Sequence, residues 1–390
     1  MATNLQHIIQ KAPLLLLFIF LFFSCKKSDN TPTTKAGWRV VETATNHSLG
    51  IKDDGTLWGW GNNLDGQLGN GSIIEQNVPV QIGKDNDWKI ISSGDDYTLG
   101  IKNDGTLWAW GENRDGKLGD GTTISKLVPT KISTDAWLHV STGLSMSIGV
   151  KTDGTAWAWG GLSLFLNRPP GTVTTPTQLT ELSDVKKCYN GGRYSVFLKN
   201  DGTIWGMGRA HDMCFGLGSS EMIDYYPLQQ IGVKNDCLDM FNHSGSTIVL
   251  KRDGTLWAWG SQYISGRLGL GTNIIGDVGI PTQITNNVDG KVSTIVRTRT
   301  ATYLLKEDGT LWGTGRGVLL GDGTQMMDKY VFTQLRSLHT WKNISAGPGR
   351  IFAIQKDGSL WVSGSDDSFG QLGLGEFWRN REVYTFTLVD

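Results

Sequence analysis

Asp54, Asp104, Asp153, Asp201, Asp253, Asp308 and Asp357 each open the same string: Asp-Gly-Thr or Asp-Gly-Ser, one apolar residue, Trp, two more residues, Gly. Seven carboxylates in one repeated context suggest either a ring of acids or a set of metal ligands. Their spacings of 50, 49, 48, 52, 55 and 49 residues argue against both, because side chains one structural unit apart cannot share an ion. Asp before Gly is instead selected by turn geometry and local hydrogen bonding. Trp58, Trp108, Trp157, Trp205, Trp257, Trp312 and Trp361 follow the aspartates, and Trp60, Trp110, Trp159 and Trp259 stand two residues further on. Such Trp-x-Trp pairs could stack sugars or bases. Residues two apart, however, share one face of a strand. A buried Trp removes about 150–250 Å² from water, roughly 4–6 kcal/mol gross. The pairs therefore read as core between repeats.

The remaining reactive residues form no catalytic constellation. His7, His47, His139, His211, His243 and His339 show no metal-ligand spacing. Cys188 and Cys237 fall in registers where other repeats carry Val, Ile or Trp, so they act as small hydrophobes. Cys214 lies in a loop, paired or free. Asp65-Gly66 and Asp115-Gly116 resemble calcium loops in outline but lack the acidic run these need. Neither a phosphate-binding Gly-rich loop followed by Lys-Ser/Thr nor a Gly-x-Ser-x-Gly elbow occurs. No cofactor or metal is expected. With 36 basic and 37 acidic residues spread along the chain, nucleic-acid binding is disfavoured.

These residues must be positioned by strands. In the second repeat Trp88-Lys89-Ile90-Ile91 is a short β-like run. Tyr97 to Lys102 alternates polar and apolar residues, the mark of a half-buried strand. Asn103-Asp104-Gly105-Thr106 supplies a tight turn. Leu107 to Trp110 returns, and Val128-Pro129-Thr130-Lys131-Ile132 makes a fourth strand. Seven such units predict an all-β fold: a seven-bladed β-propeller of four-stranded antiparallel blades over residues 38–390. The alternating strand Val383–Val389 is expected to join the blade begun by Trp38 and so close the ring.

Asp104-Gly105-Thr106-Leu107-Trp108-Ala109-Trp110-Gly111, followed by Gly116-Lys117-Leu118-Gly119, resembles the regulator of chromosome condensation repeat. The trailing Gly-x-Leu-Gly recurs at Gly66, Gly266 and Gly370 and is degenerate or lost elsewhere. The resemblance covers nearly all of 38–390 and implies the propeller. It also brings a bacterial seven-bladed relative that inhibits β-lactamases through loop-borne aromatics. The eukaryotic founder's nucleotide exchange on a nuclear GTPase is disfavoured by location.

That location is read from the N-terminus. An apolar run from Leu14 to Phe23, preceded by Lys11 and followed by Ser24-Cys25, is too short to span a bilayer and fits a secretory signal. A small residue before Cys resembles a bacterial lipoprotein signal, although Phe22 stands where Leu is usual. The expectation is a signal over 1–24, cleaved before a lipidated Cys25 that serves as membrane anchor, and a flexible tether over 25–37. Ordinary cleaved secretion and an uncleaved anchor stay open. Lys26 after the Cys points to the outer membrane and the cell envelope.

Strand order puts the Asp-Gly-Thr turns on one face of the disc. The long loops and the turns before His47, Tyr97, Met146, Tyr194 and Arg350 lie on the other, where the repeats diverge. Candidate binding residues there are Phe165, Arg168, Tyr225, Tyr226, Tyr263, Tyr330, Phe377, Trp378 and Arg379, because loops on rigid scaffolds carry function and Tyr, Trp and Arg anchor interfaces. Capping of blade cores is the competing role for each. The expected function is a monomeric, membrane-tethered scaffold holding a protein or glycan partner, with enzyme inhibition one form of it. The alternative is a propeller enzyme, a polysaccharide or peptide lyase or hydrolase, with a loop-built active site.

Overall fold

The computed structural model describes residues 36–162, 171–192, 194–210, 213–218, 223–232, 234–243, 245–262, 266–272, 274, 276–286, 288–317, 320–323, 328–335, 340–365, 368–375 and 382–389. Among these, twenty-eight strands run from β1 (Trp38–Thr43) to β28 (Glu382–Val389) and pair as seven four-stranded sheets. Each sheet keeps chain order, as in β1, β2 (His47–Lys52), β3 (Leu57–Gly61) and β4 (Gln76–Ile82), all antiparallel. The first strands of the blades are β1, β5 (Trp88–Ser93), β9 (Trp137–Thr142), β13 (Val185–Asn190), β17 (Cys237–His243), β21 (Val292–Arg297) and β25 (Trp341–Gly347). They lie side by side, with β25 meeting β1, so the ring is closed. The chain folds as a seven-bladed propeller.

Each Asp-Gly-Thr/Ser turn is a short hydrogen-bond relay. Asp104 Oδ1 accepts from Thr106 N at 2.9 Å and from Thr106 Oγ1 at 2.7 Å, while Thr106 Oγ1 accepts from Trp108 Nε1 at 2.8 Å. The other six turns repeat it, Ser359 replacing Thr in the last. The glycines take φ between +79° and +89°, which only Gly adopts without strain. Hydrogen bonds from Thr hold the Asp104 and Asp253 carboxyls below the usual range. These aspartates shape turns.

Three expectations are corrected. First, the ring does not close by way of the C-terminal strand. β28 pairs with β27 (Leu360–Ser365) of its own blade, Leu360 opposite Val389, as Leu57 stands opposite Ile82 in the first blade. Repeat and blade boundaries coincide, so no strand is left to exchange. The seam is sealed by Trp38 N to Gly358 O at 2.8 Å, Arg350 Nη2 to Ala44 O at 3.2 Å, and the ring of Trp60 on Phe352.

Second, the second strand of a blade is not half-exposed: all six residues of β2, and of β6 (Tyr97–Lys102), are buried. Blades cover both of its faces, and the polar members of the alternation are small hydroxyls turned to the neighbouring blade. Thr98 Oγ1 donates to Gln67 O at 3.0 Å and Ser147 Oγ to Lys117 O at 2.7 Å.

Third, the two tryptophans of a pair differ. Trp60, Trp110 and Trp159 are fully buried, whereas Trp58, Trp108 and Trp157 are half-buried at the turn end of the strand. Both still pack edge-on against the Trp that opens their blade, as Trp58 and Trp60 do on Trp38.

Candidate functional site

The loop face is rigid because each loop is bonded at its root. The carbonyl after the first Gly of Gly-x-Leu-Gly receives an indole from the next blade: Trp110 Nε1 reaches Gln67 O at 2.9 Å, Trp159 Nε1 reaches Lys117 O at 2.9 Å, and Trp60 Nε1 reaches Gln371 O at 3.0 Å. The adjoining Leu68, Leu118, Leu268 and Leu372 are fully buried. Within the first loop, buried Asn63 donates to Ser72 O at 2.8 Å and Ile74 O at 3.1 Å and accepts from Leu68 N at 3.0 Å. Asn113 repeats this in the second.

These fixed loops present apolar side chains to solvent. Ile73 is 54% exposed, Ile74 69% and Ile124 66%. Gly66 and Gly71 of the first loop lie against Leu127 and Val128 of β8 (Lys126–Ser133), which are themselves exposed. The apolar surfaces of blades one and two therefore adjoin. Sequence reading passed over them in favour of aromatics; the available signal was Ile73-Ile74 and Ile124 set in otherwise polar, Gly-rich loops.

Of the residues expected to bind a partner, Phe165, Arg168, Tyr263, Phe377, Trp378 and Arg379 lie outside the described residues, as does Cys25. Tyr225 and Tyr226 stand in β16 (Ile223–Ile231) and Tyr330 in β24 (Lys329–Gln334), outer strands of blades four and six. These three are not brought to one place. Tyr226 packs edge-on against buried Phe215 with centroids 5.3 Å apart, and Tyr330 lies on Gly266 of the preceding blade. Cys188, Cys214 and Cys237 are buried thiols; burial pushes Cys237 up to about 12.

Tyr225 lines a groove of about 210 Å³ at the seam of blades three and four. A substitution in the repeat accompanies it: where blades one, two, three and five place a buried Trp, blade four has Met207. The hydroxyl of Ser195, which elsewhere bonds the preceding loop, has no partner among the described residues. Leu162, Leu182 and Met207 floor the groove, and Glu181 stands on its rim.

The opposite face carries a set of cations missed in the sequence, although a Lys stands two residues before six of the seven aspartates, Gln355 taking the last position. Each ammonium sits over the half-buried Trp of its own turn, as Lys52 Nζ does 3.7 Å from the Trp58 centroid and Lys151 Nζ 3.7 Å from that of Trp157. Carboxylates balance several of them, Asp85 with Lys102 at 2.6 Å and Asp135 with Lys151 at 2.7 Å.

The first strands enclose a central cavity of about 620 Å³ that reaches the loop face between Thr45, Asp95 and Arg299. At its side Lys187 Nζ bonds Asp239 at 2.7 Å, and Tyr189 donates its hydroxyl to Asp239 at 3.0 Å. His139 Nδ1 lies 3.6 Å from Cys188 Sγ, and burial lowers this imidazole to about 4, so it is neutral at pH 7. Among the described residues no group of three or more His, Cys, Asp or Glu could hold a metal, and no helix is long and apolar enough to cross a membrane.

Sequence comparison with curated proteins yields no match. The family model of the regulator of chromosome condensation (RCC1) repeat matches residues 54–101 and 104–150, and a second model of the same repeat matches 88–117. Among solved structures, human WBSCR16 superimposes with a TM-score of 0.75 at 20% identity, over 86% of this chain and 94% of that one. Prp20p from Saccharomyces cerevisiae gives 0.74 at 18% identity, over 91% and 87%. The yeast RCC1 (Prp20) bound to Kap60 also gives 0.74 at 18% identity, over 91% and 85%. Residues 54–150 match the regulator of chromosome condensation repeat, and the described residues form a seven-bladed propeller similar in fold to these solved proteins.

Proposed function

We propose that this chain is a protein-interaction scaffold, tethered outside the cytoplasm through Cys25, that captures a protein partner on the loop face. The observation that carries this reading is the exposed apolar surface of Ile73, Ile74 and Ile124, held on loops with buried Asn and Leu roots, beside exposed Leu127 and Val128 of β8. Rigid loops bearing contiguous apolar side chains fit a docking surface, since ordering them on binding costs little. Prp20p, which shares the fold, is described with binding properties to Gsp1p and histones, a protein-binding use of such a disc. Inhibition of an extracytoplasmic enzyme is the concrete form proposed here, with Phe165, Tyr226, Tyr263 and Trp378 as further contacts.

Two measurements test it. Ile74→Asp combined with Ile124→Asp should weaken capture of the partner from native extracellular material by at least about tenfold, as loss of a desolvated apolar anchor does, with an unchanged melting curve. Undiminished capture would remove the loop face from the proposal. Metabolic labelling with a palmitate analogue should mark the wild-type chain and not Cys25→Ala; equal labelling would refute the tether.

A further inference from the structure

The central cavity is lined unevenly, and the unevenness follows the order of the blades. Take the residue twelve positions before each repeated Asp, which in every first strand lines the cavity. Blades seven, one, two and three contribute Ser345, Glu42, Ser92 and Ser141; blades four, five and six contribute Tyr189, Phe241 and Val296. A ring read in this order has a hydroxyl-and-carboxylate arc on one side and an aromatic-and-aliphatic arc on the other.

The groups on the two arcs differ in how far they are already engaged. Ser92 accepts from Thr142 N at 3.1 Å and Ser141 from Asn190 N at 3.0 Å, so these two hydroxyls are partly used in joining blades. Among the described residues the Glu42 carboxylate has no hydrogen-bond or ion-pair partner, and the Ser345 hydroxyl on the adjoining strand has none either. On the far arc the Tyr189 hydroxyl is committed to Asp239 at 3.0 Å, which fixes the ring and leaves its surface to the cavity. A carboxylate left unpaired in a walled channel is costly unless a cation meets it.

Four strands pack against β1: Ile90 and Ser92 of β5 and Asn343 and Ser345 of β25 line the cavity with Glu42, while β2 carries buried His47 and Lys52 and β26 (Arg350–Gln355) carries buried Arg350, whose guanidinium donates to Ala44 O and Thr45 O just past the end of β1. The other ionisable groups of the wall are His139, neutral at pH 7, and Asp95 and Arg299 at the mouth; Lys187 and Asp239 neutralise one another to the side.

We propose that the channel is a binding site for a small organic ammonium compound: a protonated primary amine carrying an apolar or aromatic body. The ammonium sits at Glu42, donating to its carboxylate and to Ser345, and the body lies across Tyr189, Phe241 and Val296. A neutral alcohol would leave Glu42 uncompensated, and an anion would oppose it. The site does not require a protein on the loop face, so its failure leaves the docking proposal standing.

Calorimetric titration of the full chain with benzylamine, benzyl alcohol and benzoate at pH 8 tests this. Benzylamine should bind, benzyl alcohol at least about tenfold more weakly, as expected where a charge-assisted hydrogen bond is lost, and benzoate not measurably. Benzylamine binding should tighten from pH 6 to 8, because Glu42 must ionise to receive the amine. Glu42→Gln should weaken benzylamine at least about tenfold, with folding checked by the melting curve. Phe241→Ala should weaken it several-fold through loss of the apolar arc. Equal binding of amine and alcohol, undiminished binding to Glu42→Gln, or no binding of benzylamine to the folded wild-type chain would each overturn the proposal.

Discussion

Trp60→Ala is expected to destabilise the protein by about 3–5 kcal/mol, the range for deleting a large aromatic from a packed core. Trp60 is fully buried, lies edge-on to Trp38 and Phe352 at 5.6 Å each, and donates to Gln371 O at 3.0 Å. It belongs to the first blade and touches the last, so its removal opens a cavity at the one seam that joins the two ends of the repeat array. The Gln371 carbonyl loses the indole and keeps the Ser48 Oγ hydrogen bond at 3.1 Å. Trp58→Ala should cost about 1–2 kcal/mol, since a half-buried side chain loses less contact. Urea unfolding followed by intrinsic fluorescence and circular dichroism compares the two. If Trp58→Ala proves equally damaging, the buried Trp is not what holds the seam.

Glu42→Gln should make the folded protein more stable above pH 7, and the gain should vanish toward pH 4.5. Burial raises this carboxyl to about 7 from 4.5. Between these values the unfolded chain has released the proton while the folded chain keeps it, so this group lowers stability as pH rises through the window and adds nothing further above it. The shift corresponds to on the order of 2–3 kcal/mol, with an allowance for water in the channel. The two buried histidines act with the opposite sign. Burial lowers His47 to about 3 and His139 to about 4, so their contribution grows with pH until their unfolded value of about 6.5. The net profile of the wild type therefore rises through the acid range. The difference between wild type and Glu42→Gln isolates the carboxyl, and a difference that is constant from pH 4.5 to 8 would rule out the assignment.

Much of the architecture was readable from short-range chemistry. The Asp-Gly-Thr string encodes a complete turn within five residues: an acceptor at Asp54, a glycine able to take positive φ, a hydroxyl at Thr56 and an indole at Trp58 that ends the relay. Repetition of that turn numbers the blades and orients the disc. The core registers of Cys188 and Cys237 followed from alignment with Val, Ile and Trp in sister repeats. The Lys ladder is local in the same way, since Lys52 and the Trp58 it covers stand within one hairpin.

The candidate sites were far less legible. Whether β28 pairs with β1 or with β27 depends on which strand opens a blade, and either choice satisfies the alternation of residues 383–389. Period two cannot tell a strand with one wet face from one covered by blades on both sides, so the alternation of Tyr97 to Lys102 reads as a half-buried strand although all six residues are buried. Met207 and Tyr225 become groove partners only because two neighbouring blades meet there.

Blade number, turn chemistry and the identity of the two faces arise from contacts between residues a few positions apart, which a linear string displays directly. Closure of the ring, the rim groove and the two-sided channel arise from contacts between residues about fifty or three hundred positions apart, as between Ser92 and Thr142 or Trp60 and Gln371. Glu42 and Phe241 face each other across an axis that exists only once all seven blades have met. Their pairing is a property of the closed circle.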